Sequence, residues 1–501
     1  MRSNSLWILF LLLLALAGCG GGGGGTDGTT VIPATKTLVS ITVTPTDPVA
    51  AVGTTVQFAA LGTFSDSTTQ DLTASVAWGS TNTSVATISN AGGSNGKATP
   101  ASAGSTDIVA TLQVTQPAQG SISGSTTLTV TDGVSTVNVL PITVNGSLCS
   151  SGSYLNKPCV SVTVCTPGTS NCQVVSDILL DTGSYGLRIF RQALNVPLTQ
   201  ATVAGGSLAE CVQFGDGTSI WGPVQTAGVI LGSEPIVQVP LQVIDSTFGT
   251  RPNGCLNALT TPSSTGAGFN GMLGVGLFRQ DCGSLCLSSV NNGFYSACNG
   301  TACSGTSVPL ASQVQNPVAL LPKDNNGILV QLPAVPLGGI ASVDGSLILG
   351  IGTQVNNTPA AVTTFPTNSV GNFTTTLNGA SFSNSFIDSG SNGLFFTRPV
   401  PLQPLLPLCP TPNTGFYCPA ATVPLSATNT GAPVGSPSNQ VSFQIGNLNN
   451  LLSSGNNVFS EIGGSGIGGF DWGLPFFYGR NVFVGFEGRS STLGAGPYWA
   501  Y

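Results

Sequence analysis

The chain has 501 residues, only 6% of them charged, a net charge of −7 and a pI near 4.4. That balance excludes a nucleic-acid partner, because no basic stripe exists to meet phosphates. Apolar residues at 41% exclude general disorder, and the length calls for two or three domains in a loop-rich, β-rich protein.

The N-terminus reads as a targeting segment, residues 1–18. Arg2 supplies the positive start, and Leu6–Leu14 is an apolar run too short to span a bilayer. The sequence Leu16-Ala17-Gly18-Cys19 then resembles the lipobox of bacterial lipoproteins. That resemblance implies cleavage before Cys19, acylation of its thiol and attachment to a membrane. Gly20–Gly25 opens a flexible tether over 19–36. Gly20 is not aspartate, which is similar to outer-membrane sorting in Gram-negative lipoproteins. The expected location is therefore the cell envelope, on a periplasmic or surface-facing outer-membrane lipoprotein.

Residues 37–132 carry short β-branched runs separated by turn residues, the pattern of a β-sandwich. Ile41-Thr42-Val43-Thr44-Pro45, Val52-Gly53-Thr54, Asp71-Leu72-Thr73, Val76-Ala77-Trp78 and Ser84-Val85-Ala86-Thr87-Ile88 resemble the bacterial immunoglobulin-like group 2 domain. Trp78 is expected to fill the space between two sheets. With no cysteine and no clustered acids, this module reads as a spacer or adhesion unit.

The chemistry must lie beyond residue 133. Removing Cys19 from thirteen cysteines leaves 13 − 1 = 12, an even number, and export favours disulfides. Cys165…Cys172 and Cys409…Cys418 look like local staples; the remaining pairing is open. There is no histidine, no CxxC…CxxC pair and no GxxxxGK[ST] loop, so no metal or cofactor is expected. Triads that need histidine are excluded, and lysine occurs only at Lys36, Lys97, Lys157 and Lys323.

Val160–Leu180 reads as a hairpin turning at Pro167-Gly168 and flanked by Cys165 and Cys172. Its second strand runs into Asp181-Thr182-Gly183-Ser184. Downstream, an apolar strand ends in Asp388-Ser389-Gly390-Ser391, 388 − 181 = 207 residues later. One such tetrapeptide is a common turn; two, each closing an apolar strand, suggest a paired site. Two carboxylates held close cannot both ionise readily, so they share a proton. One then acts as base on water while its partner acts as acid toward a carbonyl. Thr182 and Ser389 are suited to brace the loops against each other, Gly183 and Gly390 permit close approach, and Ser184 and Ser391 are supporting hydroxyls.

The paired motifs and their companions resemble the pepsin-like aspartic proteases, and an uncharacterised bacterial family carries the same pair. Cys211–Thr218, with Phe214-Gly215-Asp216-Gly217 at its tip, is similar to the flap of those proteases. Phe269–Gly276 resembles the apolar-apolar-Gly strand behind the first catalytic loop, Gly345–Gly350 the strand opening the second lobe, and Trp472–Phe486 the closing segment. The resemblance implies an all-β, bilobal fold, with lobes 133–318 and 319–501, after the Ig-like sandwich. It implies an endopeptidase acting on peptide or protein through Asp181 and Asp388, expected to be a monomer. Three positions depart from that pattern. Phe214 replaces the usual flap tyrosine, Arg188 replaces a tryptophan, and Asp471 begins the second apolar-apolar-Gly element. Arg188 is expected to sit near the cleft and increase carboxyl acidity; Asp216, Asp245, Asp281 and Glu487 are expected on loops or the surface. The alternative is a surface protein of the same fold that binds peptide or glycan without cleaving it.

Overall fold

The computed structural model describes residues 36–501, except 115–119, 132–136, 151–153, 216, 253–254, 256–258, 261–262, 433–435 and 467. The targeting segment, Cys19 and most of the tether lie outside the described residues, as does Asp216. Among the described residues no helix is long and apolar enough to cross a membrane. The chain divides into two units, residues 1–133 and 134–501.

In the first unit, Leu38–Thr44 pairs with Ala59–Phe64, while Gly104–Val114 and Gly120–Thr131 form the long hairpin of a four-stranded sheet. Alternation along these strands turns Ile41, Val43, Ile108, Leu128 and Val130 into one core. Trp78 fills it at 5% exposure, and its indole N–H donates to Thr73 O at 2.9 Å, so its polar atom is satisfied.

The second unit is also mostly β. Its largest sheet begins with Val139–Val144, Pro158–Cys165, Cys172–Asp181 and Tyr185–Phe190. Gly327–Leu332, Val343–Leu349 and Arg480–Gly485 join that sheet: Val343–Leu349 lies antiparallel to Val139–Val144. A separate seven-stranded sheet contains Phe373–Leu377, Ala380–Ile387, Leu394–Phe396, Val423–Thr430, Ser438–Ile445 and Phe470–Trp472. Ile178–Leu180 and Ile328–Val330 are wholly buried, so these stretches read as continuous apolar segments, whereas the first half of Cys172–Asp181 alternates and leaves Val174 exposed.

One local arrangement occurs twice. Gly271–Val275 runs parallel to Cys172–Asp181 and antiparallel to Tyr185–Phe190, with Gly274 opposite both Asp181 and Gly186. Phe470–Trp472 likewise runs parallel to Ala380–Ile387 and antiparallel to Leu394–Phe396. In each copy a strand ends in the Asp-hydroxyl-Gly-Ser loop, the chain turns back, and a third strand fills the gap. Glycine is required behind each loop. A Cβ on Gly274 would lie 2.7 Å from Tyr185 N, and one on Gly473 would lie 2.0 Å from Gly393 O.

All twelve remaining cysteines pair: Cys149–Cys159, Cys165–Cys172, Cys211–Cys255, Cys282–Cys286, Cys298–Cys303 and Cys409–Cys418. Both expected staples are present. Cys149, Cys159 and Asp177 cluster closely enough to suggest metal ligands, but the two sulfurs are joined to each other and offer no thiolate.

Candidate active site

The two Asp loops are tied to each other by four hydrogen bonds. Thr182 N–H donates to Ser389 Oγ at 3.1 Å, and Ser389 N–H donates to Thr182 Oγ1 at 2.9 Å. The Thr182 hydroxyl donates to Ile387 O at 2.8 Å, and the Ser389 hydroxyl donates to Leu180 O at 2.8 Å. Each hydroxyl therefore receives an amide from the opposite loop and donates to the strand entering it. Thr182 is 1% exposed and Ser389 0%, so water does not compete for these bonds. Small hydroxyl side chains are the types that offer a donor and acceptors within one loop's reach.

This lock holds the Asp181 and Asp388 carboxyls side by side, each next to the glycine of the opposite loop. Gly183 N–H donates to Asp181 Oδ1 and Gly390 N–H to Asp388 Oδ1, both at 2.8 Å. The Ser184 hydroxyl donates to Asp181 Oδ2, and Ser391 Oγ lies 2.9 Å from Asp388 Oδ2. A Cβ on Gly183 would sit 2.5 Å from Asp388 Cγ, and one on Gly390 would sit 3.0 Å from Asp181 Cγ. Only glycine lets each loop pass this close to the opposite carboxyl.

Burial first, then the charge of Asp388 and the hydrogen bond to it, push the Asp181 carboxyl well above the ordinary range; Ser184 and Gly183 oppose that rise. Two carboxyls held this close cannot both ionise readily. Asp181 is buried, whereas Asp388 is partly exposed and Gly183 is exposed, so the pair faces solvent on one side. The Tyr185 phenol is also pushed up, by burial and then by the charges of Asp181, Asp388 and Glu487. Its ring packs edge-on against Phe278 at 5.1 Å. The Tyr154 hydroxyl donates to Gly390 O at 2.7 Å, a support that its sequence position did not signal.

Phe214 lies at the turn between strands Gly206–Gln213 and Thr218–Ile230. Phe214 N–H donates to Thr218 O, and Gly217, at φ +84°, closes the turn. The Phe214 ring packs against a cluster of Phe190, Val212, Ile220 and Ile244. Gly215 is exposed at the tip.

Two sequence expectations are overturned. Arg188 is buried at 1% exposure and turned away from the carboxyl pair: its Nη2 donates to Glu210 at 2.8 Å and to Asp281 at 2.9 Å. Asp281 is not a surface group: its side chain is 4% exposed, and it also accepts from Tyr295 Oη at 2.6 Å. Arg188 takes two carboxylates because burial makes an unpaired guanidinium costly.

Asp471 reaches the pair from Phe470–Trp472. Its Oδ2 lies 2.6 Å from Ser391 Oγ, and its Oδ1 is buried without a hydrogen-bond partner. The matching residue of the other copy is Met272, whose sulfur lies 3.4 Å from Ser184 Oγ. The sequence marks Asp471 only as a departure from an apolar pattern.

Fold and site together define a disulfide-bonded, mostly β protein in which two like loops pin two carboxyls together, in a unit that follows a β-sandwich module along the chain. Residues 38–122 match the bacterial Ig-like domain (group 2). Residues 134–501, well over half the chain, match the family described as protein of unknown function (DUF3443), and the chain belongs to that family. Over 115 residues the chain is 39% identical to Ice-binding protein 1 of Shewanella frigidimarina (strain NCIMB 400). That match takes in 23% of this chain and 12% of the relative, so the chain spans only a small part of that protein's length.

Proposed function

We propose that residues 134–501 are a pepsin-like aspartic endopeptidase in which Asp181 and Asp388 activate a water molecule against a peptide carbonyl. The observation that carries this reading is the reciprocal Thr182–Ser389 lock, which holds two Asp-hydroxyl-Gly-Ser loops with their carboxyls side by side. A singly protonated pair has the two functions that peptide hydrolysis needs. The ionised carboxyl removes a proton from water, and the protonated one supplies a proton to the carbonyl oxygen as the tetrahedral intermediate forms. The proton taken from water is then available to the leaving amine. Such a pair titrates as a unit.

In this reading the hairpin carrying Phe214 closes over the substrate and excludes bulk water. Phe214 offers a ring without a hydroxyl, so substrate is held there by apolar contact. The two-lobed division at residues 133–318 and 319–501 belongs to the same proposal. The Leu16–Cys19 motif supports a lipid anchor, with the Ig-like module lying between anchor and enzyme along the chain.

The test is to incubate the disulfide-bonded protein with a mixed peptide library between pH 3 and 7, with and without a statine-type inhibitor. Internal peptide cleavage that the inhibitor blocks is the expected result. A folded protein that cleaves nothing across that range overturns the proposal and leaves the peptide- or glycan-binding alternative.

A further inference from the structure

Ser391 lies between two carboxyl oxygens, 2.9 Å from Asp388 Oδ2 and 2.6 Å from Asp471 Oδ2. A serine hydroxyl has one hydrogen and can donate to only one of them. For both contacts to be hydrogen bonds, the other carboxyl must carry a proton and donate to the hydroxyl oxygen. The Asp181 and Asp388 carboxyls, each beside the glycine of the opposite loop, cannot both ionise readily, and this calls for a second proton.

We propose that Asp471 is a third carboxyl of this site, that the resting site holds two protons on three carboxyls, and that its single negative charge rests on Asp388. In this arrangement Asp181 donates to Asp388, Ser391 donates to Asp388, and Asp471 donates to Ser391. Every contact in the chain then has one hydrogen, and all of them run toward Asp388. The inference rests on the aspartic-peptidase reading for its functional meaning. There it makes Asp388 the base that takes a proton from water, Asp181 the acid that faces the carbonyl, and Asp471 a positioning residue acting through Ser391.

The two copies of the loop provide the contrast. Ser184 has the Met272 thioether where Ser391 has the Asp471 carboxyl, so only the Asp388 side has a further proton carrier. The surroundings favour a neutral Asp471. Its Oδ1 is buried with no partner, a poor setting for a carboxylate. The charged groups acting on it are Asp388 and Asp181, and both repel a negative charge; burial is the largest cause of its rise and the Ser391 hydroxyl opposes it. Around the dyad, Tyr185 and Glu487 add no cation that would stabilise an ionised Asp471.

The test counts protonated carboxyls by infrared difference spectroscopy of the full chain at pH 6, comparing wild type with Asp181→Asn and Asp471→Asn. Each variant is expected to lose the equivalent of one protonated-carboxyl stretch. Loss of none in Asp471→Asn overturns the proposal, because an ordinary aspartic acid is ionised at that pH. If Asp471→Asn fails to fold, Asp471→Met, which copies the residue of the other half, serves in its place with the same expected loss. Peptide cleavage by the same wild-type sample separates the two claims. A lost band without cleavage retains the three-carboxyl site and removes the peptidase reading. Cleavage with no lost band retains the peptidase and removes the role of Asp471.

Discussion

Replacing Thr182 by valine keeps the shape of the side chain and exchanges its hydroxyl for a methyl group. That hydroxyl accepts from Ser389 N–H at 2.9 Å and donates to Ile387 O at 2.8 Å. Both contacts are buried, so the exchange leaves one amide and one carbonyl without partners. An orphaned buried group costs about 1–3 kcal/mol, so Thr182→Val, which orphans two, should lower the stability of the 134–501 unit by about 2–6 kcal/mol. Ser389→Ala should cost a similar amount, because it orphans Thr182 N–H and Leu180 O. Thr182→Ser retains both bonds and should cost less than about 1.5 kcal/mol, mainly for the lost methyl. The double variant should lose less than the sum of the two single losses, because once one hydroxyl is gone the loops can part and admit water. Urea unfolding followed by tryptophan fluorescence reads this unit through Trp221, Trp472 and Trp499, all buried within it. A Thr182→Val loss below about 0.5 kcal/mol, the range of surface substitutions, would refute the claim that the lock holds the loops together.

Gly183→Ala places a methyl group 2.5 Å from Asp388 Cγ and should cost about 1–3 kcal/mol by overpacking, as well as at least a tenfold loss of cleavage, read by unfolding and by turnover. Arg188→Met removes the cation between Glu210 and Asp281 and should destabilise the protein by about 3–5 kcal/mol; Arg188→Lys should not restore it, because one ammonium cannot reproduce the planar fork. Burial, then contact with Asp324, raises Glu234 from 4.5 to about 7. Because its folded value lies above its unfolded one, its stabilising contribution is complete below about pH 4.5 and is lost as the pH rises through about 7. Glu234→Gln should therefore flatten the fall in melting temperature between pH 5 and 8, which thermal unfolding at several pH values will show.

Much of the site is legible in the sequence because it is built locally. An apolar strand, an acid, a small hydroxyl and a glycine are adjacent in the chain, and the repetition of that set points to the pairing of Asp181 with Asp388. The bracing by Thr182 and Ser389 follows from the same adjacency. Cys165–Cys172 and Cys409–Cys418 are legible because each closes a short loop. Cys211–Cys255 is not, since its partners are 44 residues apart and nothing local selects them.

Long-range partners are hidden for the same reason. The pairing of Val139–Val144 with Val343–Leu349 depends on which of many similar buried strands meet, and apolar runs do not encode that choice. Arg188 is misread because the sequence gives its distance from Asp181 along the chain but not the direction of its side chain. Strand alternation turns it toward Glu210 and Asp281. Asp471 stands out as an acid where an apolar residue fits the pattern, yet only the contact through Ser391 shows that the exception belongs to the site.

The most direct test of the central claim is peptide cleavage by wild type beside Asp181→Asn and Asp388→Asn, with folding of each protein verified by its unfolding transition. The account predicts cleavage by wild type, a loss of at least a thousandfold in each variant, and retained folding in both. Cleavage that survives either substitution would contradict it, because a single carboxyl cannot both take a proton from water and give one to the carbonyl.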